Sequence, residues 1–305
     1  MAKAALLACD WGTTNLRAWT LDAQGRLVAD REFALGVSAF PAGEAARLFR
    51  EQVRPSLDAV GLPAILCGMI GSNLGWTLAP YVDCPAGLEI LSRELTAAPD
   101  GGAPVAIVPG MRSRGVIGGV DVMRGEETQL FGWLAQNPER RIGRQVVCHP
   151  GTHAKWMVVE AGRLTRFATA MTGELFAVLG KYSVLKCAAP ADDEAAFVEG
   201  LDAAGDGDAL AARLFTARAR VAGGGQRMES TPSYLSGLLI GAEVASMPRP
   251  MGIDGDEPVM LLGDSGLCRR YGQALDRRGV AWESFDGEAA AVAGLFALHQ
   301  MGTRA

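Results

Sequence analysis

The sequence has very little lysine. Lys3, Lys155, Lys181 and Lys186 are the only four in 305 residues, and arginine supplies the rest of the 29 basic side chains. Against 34 acidic residues the net charge is −5, which argues against a protein that grips nucleic acid through a basic face. The six cysteines (9, 67, 84, 148, 187 and 268) form no CxxC pair and no cluster. They read as reduced, buried apolar residues rather than a disulfide frame or a zinc site. No apolar run approaches the ~20 residues that a membrane span needs. The opening segment reaches Cys9-Asp10 too soon to form a signal-peptide core. These absences predict a soluble, cytoplasmic protein with neither nucleic acid nor membrane as partner. The hydrophobic share of 49% is ample for a core, and 305 residues at about 150 per domain predict two domains.

The chain opens with three predicted strands. Residues 4–10 are apolar and end at Asp10, 16–21 alternate, and 26–33 follow the Asp22-Ala23-Gln24-Gly25 turn. A helix is expected over 43–60, with Ala46, Phe49, Val53 and Leu57 on one face, and then a buried strand over 64–67. Residues 100–122 are rich in Gly and Pro around two apolar runs, 105–108 and 116–120. A helix follows from Gly125, with Glu126 and Glu127 at the positive end of its dipole.

The opening pattern then recurs. A strand over 145–148 leads to a Gly151-Thr152 turn, strands over 155–159 and 164–170, and a helix over 174–182. Only the Gly-Thr pair is shared, so the repeat is one of architecture. Helices are expected over 192–204, 207–221 and 233–247. The last of these is apolar enough for either a core helix or a homo-oligomer interface. A loop over 248–258 precedes a buried strand, 259–263, that enters a helix through Asp264-Ser265-Gly266, and an Ala-rich helix spans about 287–301.

Two strand–Gly-Thr–strand hairpins suggest a common use. Small residues let backbone N–H groups and hydroxyls approach an anion closely, and two such turns facing across a cleft would clamp a polyphosphate. Asp10 beside the first turn is a hard oxygen donor suited to Mg²⁺.

The residues Asp10-Trp11-Gly12-Thr13-Thr14-Asn15-Leu16-Arg17-Ala18-Trp19 resemble the first phosphate motif of the actin-like ATPase and sugar kinase superfamily. Further blocks at 68–76 with 79–81, 122–129, 150–156, 171–175 and 235–247 resemble, more narrowly, the 2-dehydro-3-deoxygalactonokinase family. The resemblance implies an α/β fold of two ribonuclease-H-like domains around a central ATP cleft. The expected domains are residues 1–138, with the sugar-acid site, and 139–305, with the nucleotide site and a final helix returning to the first domain. The implied activity is ATP- and Mg²⁺-dependent phosphorylation of the 6-hydroxyl of 2-dehydro-3-deoxy-D-galactonate, in galactonate catabolism.

Phosphoryl transfer needs positioning, charge stabilisation and a base for the hydroxyl proton. Glu126 is the favoured base and Asp121 its competitor; Glu127 reads as a plain first-turn acid. Asp10, Gly12, Thr13, Thr14, Asn15, Gly151 and Thr152 are expected around the phosphates and the metal. Lys155 is either a phosphate contact or a solvent-facing strand residue. Gly263 and Asp264 stand where the superfamily cradles adenosine, although the usual paired glycines are replaced. Arg124, and more weakly Arg112, suit the substrate carboxylate. Met69, Gly71, Ser72, Asn73 and Trp76 follow a strand end, and the resemblance implies sugar-acid contacts there. Rival readings are a polyphosphate or nucleotide hydrolase of the same fold, which would not need the 68–81 segment, and a non-catalytic sugar-acid sensor.

Overall fold

The computed structural model describes residues 3–254 and 257–303, so positions 255 and 256 of the expected 248–258 loop lie outside the described residues. The chain divides into two compact units, residues 1–144 with 159–165 and 287–305, and residues 145–158 with 166–286.

In the first unit the predicted opening strands form as β1 (Leu6–Trp11), β2 (Leu16–Leu21) and β3 (Leu27–Phe33), and the buried apolar run becomes β4 (Ala64–Cys67). With β5 (Tyr81–Asp83), β6 (Thr96–Ala98) and β7 (Val105–Ile107) named in turn, the main sheet has the order β3-β2-β1-β4-β7-β6. β1 to β3 pair antiparallel, whereas β4 runs parallel to both β1 and β7. That is the strand order of a ribonuclease-H-like sheet, extended by β6.

A second, three-stranded sheet joins β5 to β8 (Gly110–Arg114) and β9 (Val120–Met123). Neither β8 nor the register of β9 follows from apolar pattern. The 116–120 run is largely a turn, closed by the Gly115 N–H donating to Gly119 O, and Ile117 and Val120 are exposed.

The core of this unit packs Leu7, Cys9, Trp11, Phe49, Val53 and Ile107. Phe49, Val53 and Leu57 face it as the helical spacing predicts. The expected 43–60 helix is shorter, however, and changes pitch: Ala45–Leu48 and Arg54–Ser56 are α-helical and Phe49–Val53 is a π-helical stretch. Pro55 has no N–H to return to the preceding turn, and widening the helix there absorbs the lost bond. The helices Glu126–Gln136 and Gly287–Gly302 pack closely on one another, and the latter also meets β1 and β4.

The second unit repeats the plan. β10 (Arg144–His149), β11 (Ala154–Glu160), β12 (Arg163–Ala170), β13 (Val259–Gly263) and β14 (Trp282–Asp286) form a sheet in the order β12-β11-β10-β13-β14. β13 runs parallel to β10 and β14. The fold is α/β throughout, with matching ribonuclease-H-like sheets in the two units.

The expected 207–221 helix is two pieces, Leu210–Leu214 and Thr216–Ala222. Thr216 Oγ1 lies 2.6 Å from Arg213 O and 2.7 Å from the Tyr234 hydroxyl, a local bonding pattern that competes with a continuous helix. The apolar Thr231–Ser246 helix has most of its residues buried within its own unit, so its apolar character is that of a core helix. All six cysteines are free thiols. Among the described residues no helix is long and apolar enough to cross a membrane.

Candidate active site

Parallel pairing sets Asp10, near the end of β1, opposite Cys67 at the end of β4. The chain then turns through Gly68 at φ +86°, where a Cβ would lie 2.8 Å from Trp11 O and 3.0 Å from Asp10 Oδ1. Only glycine suits both the angle and the space. Gly125, at φ +113°, abuts Gly68 and starts the Glu126 helix. Three separated segments thus converge, and the carboxylates of two of them, Asp10 and Glu126, interact. Burial, followed by the negative charge of Glu126, pushes the Asp10 carboxyl up to about 6.

Glu126 Oε2 accepts from the Arg124 backbone N–H at 3.1 Å. Glu127 departs from expectation. It is wholly buried, both its oxygens lie 2.8 Å from the Gly125 N–H, and Thr128 Oγ1 donates to Oε1 at 3.2 Å. Burial, again followed by Glu126, raises it to about 7. Tertiary packing turns a first-turn acid into a buried group.

Arg124 is only 8% exposed. Nη2 donates to Ala79 O at 2.9 Å, and the guanidinium sits 4.4 Å from the centre of the Tyr81 ring. Nη1 lies 2.9 Å from where a side chain on Gly71 would begin. Its Nε and Nη1 are buried without a hydrogen-bond partner among the described residues. A buried guanidinium with two unused donors invites an anionic acceptor, because leaving such groups unpaired is costly.

The other expected sugar-acid residues differ in their surroundings. Ser72 is buried and its Oγ accepts from the Leu74 N–H, while Asn73 is exposed. Met69 and Trp76 pack against the core, with Trp76 5.4 Å from the Phe49 ring. Arg112 makes a two-pronged bond to Asp83, at 2.5 and 2.7 Å, on the small sheet. Asp121 stands on the neighbouring strand, opposite Ser113.

The Gly12–Asn15 turn is closed by the Gly12 N–H donating to Asn15 O at 2.9 Å. The carbonyls of Gly12, Thr13 and Thr14 accept from Val37, Ser38 and Gly36, a clamp with no signal in the sequence. The side chains of Thr13 and Thr14 are exposed, and Asn15 Nδ2 donates to Glu32.

In the second unit a cavity of about 590 Å³ opens beside the Gly151-Thr152 turn, a size ordinary for a small-molecule site. Its lining includes Thr172, Ser236, Leu267, Arg270 and Tyr271. Gly263 and Asp264 are not among the lining residues; Asp264 instead caps the Ser265–Asp276 helix, accepting from the Leu267 N–H. That helix contributes its next turn to the wall. Lys155 does not face solvent: it is 4% exposed, and Nζ donates to His153 O at 3.0 Å. Among the described residues no group of three or more His, Cys, Asp or Glu side chains could hold a metal ion.

A family model described as 2-keto-3-deoxy-galactonokinase matches residues 10–298. A Rhizobium meliloti (strain 1021) protein named as a probable 2-dehydro-3-deoxygalactonokinase is 36% identical over 301 residues, 95% of each chain. The 2-dehydro-3-deoxygalactonokinase of Escherichia coli (strain K12) is 34% identical over 294 residues, again 95% of each. A crystal structure from Sinorhizobium meliloti, assigned provisionally as the same kinase, superposes with a TM-score of 0.84 at 34% identity, covering 97% of this chain and 98% of that one. The activator of 2-hydroxyisocaproyl-CoA dehydratase from Clostridium difficile, solved with bound ADPNP, shares the fold alone, at a TM-score of 0.52 and 12% identity. The repeated sheets, the converging carboxylates and a match over nearly the whole length agree: the chain belongs to the 2-keto-3-deoxy-galactonokinase family.

Proposed function

We propose that this protein, in the cytoplasm, transfers the γ-phosphoryl group of ATP to the 6-hydroxyl of 2-dehydro-3-deoxy-D-galactonate, giving the 6-phosphate and ADP in galactonate catabolism. Family membership supports the reaction class. The observation that carries the substrate reading is Arg124, a buried guanidinium whose Nε and Nη1 have no hydrogen-bond partner among the described residues, so that an anionic group such as a carboxylate would relieve either donor.

Glu126 is the base: it takes the proton of the 6-hydroxyl as the oxygen attacks, and its charge already acts on Asp10. Asp10 fits a divalent cation, since a buried carboxylate raised by a second one is relieved by positive charge. With Asp10 and water as ligands, Mg²⁺ would neutralise charge on the phosphates. In the second unit the cavity lined by Leu267 and Tyr271 takes the adenosine and the adjoining Gly151-Thr152 turn a phosphate oxygen; in the first unit the Gly12–Asn15 turn is itself of the small-residue kind that holds phosphate.

The test is a coupled ADP-release assay with Mg-ATP and three conditions: the galactonate-derived acid, its gluconate-derived epimer, and no sugar. Release that needs the sugar acid and falls at least ~100-fold in Glu126→Gln is expected, the size of lost general-base catalysis. Release indifferent to sugar would replace the kinase with a hydrolase, and an unaffected variant would move the base to Asp121.

A further inference from the structure

Three of the sequence blocks that resemble the family meet on one buried carboxylate. Glu243, on the Thr231–Ser246 helix, is 5% exposed. Its Oε1 accepts from the Trp156 indole N–H on β11 at 2.7 Å, and its Oε2 from the Tyr271 hydroxyl at 2.8 Å. The Thr172 hydroxyl donates to the same carboxylate. Burial pushes the Glu243 carboxyl upward, while these three bonds pull it down. A buried acid is expensive to keep without donors, so its partners and its place are bound together.

Two of those partners face the 590 Å³ cavity, on different elements. Tyr271 belongs to the Ser265–Asp276 helix, which also presents Leu267 and Arg270. Thr172 begins the Thr172–Tyr182 helix, whose Glu174 N–H donates to Thr152 O at 2.9 Å and so fastens that helix to the Gly151-Thr152 turn. The carboxylate therefore bridges the wall of the cavity and the turn beside it. Trp156 braces it from behind, since the indole is fully buried and lines no part of the cavity.

We propose that Glu243 is a positioning residue for the nucleotide: it sets the span between the Tyr271 wall and the Gly151-Thr152 turn without touching the ligand itself. This rests on reading the cavity as the adenine-nucleotide site. A residue that merely stabilised the fold would lower the melting temperature and the amount of active protein, yet leave the affinity of the folded fraction unchanged.

The experiment is calorimetric titration of the full chain with Mg-ADP, alongside KM values for ATP and for the sugar acid. Glu243→Gln should weaken Mg-ADP and raise the ATP KM by about tenfold, the worth of a bond to a charged group, with the sugar-acid KM within about twofold. Trp156→Phe removes one donor outside the cavity, so its effect on affinity travels through Glu243. A weakening of about threefold is expected, and none beyond Glu243→Gln in the double variant. Wild-type Mg-ADP affinity in folded Glu243→Gln, or ATP and sugar-acid KM values rising together, would overturn the proposal. Should Glu243→Gln not fold, Trp156→Phe decides alone, with wild-type affinity overturning it. If the wild-type chain binds no adenine nucleotide, the reading of the cavity fails first and this proposal with it, a result distinct from failure of the variants alone.

Discussion

The two units use the same strand order and the same turn, yet place different chemistry on it. In the first, the residue two before the glycine of the Gly-Thr turn is Asp10; in the second, it is His149. Around Asp10 the packing gathers Glu126 and the buried Glu127. Beside the second turn lies a cavity lined by Asp192, with a second acid, Glu243, held behind its wall by Trp156, Tyr271 and Thr172. One copy of the plan thus gathers interacting carboxylates beside its turn, and the other bonds a buried carboxylate to three donors behind a cavity wall. A repeated backbone fixes where a site can form, and the side chains at a few equivalent positions decide what it does.

The sharpest way to break that comparison is to exchange its key pair. Asp10→Asn should lower kcat at least ~100-fold in the ADP-release assay, as expected when a charge that organises the metal and phosphates is lost. His149→Asn, at the equivalent position, should cost less than about tenfold, so equal losses would erase the distinction.

Next in size is a pH effect from Glu127. Burial and the charge of Glu126 hold its folded pKa at about 7, above the 4.5 of a free glutamate, so between those values the folded state keeps a proton that the unfolded chain has released. Stability should therefore fall as pH rises through that window, by about 3 kcal/mol in all. Denaturant midpoints of wild type and Glu127→Gln at pH 5 and pH 8 check this: the variant should show the flatter dependence, and parallel curves would return Glu127 to an ordinary helix-end acid.

Smaller still, Arg124→Met should raise the sugar-acid KM by about 10- to 100-fold while changing the ATP KM little, the expected loss for hydrogen bonds between charged groups. Set beside Glu243→Gln, it gives a crossed pair in which each unit's variant moves one substrate. Arg124→Met raising both KM values equally would mean that the two sites are not separable in this way.

Much of the fold was legible because its signals are local. The alternation over 16–21, the turn at Asp22–Gly25 and the apolar runs at 64–67 and 259–263 each mark their own strand. Elements whose stability comes from distant partners were not. β14 exposes Glu283 and Ser284 and exists through its pairing with β13, and β8 carries two arginines. The site shows the same division. Asp10 and Glu126 stand out as acids beside a glycine turn and at a helix start. The wall formed by Leu267 and Tyr271, and the clamp of residues 36–38 on the first turn, join residues far apart in sequence or unmarked by any pattern.

The sequence by itself determined the strand-and-turn grammar of both halves, the absence of any apolar run long enough to cross a membrane, and the blocks that resemble the family. Those depend on residue type and spacing, which act over a few residues. Only the tertiary structure decided that Glu127 and Lys155 are buried, that Arg112 is paired with Asp83 while two Arg124 donors have no partner among the described residues, and that Glu243 joins three elements. Burial and pairing are properties of what packs against a residue, and that is settled by chain segments tens of residues away.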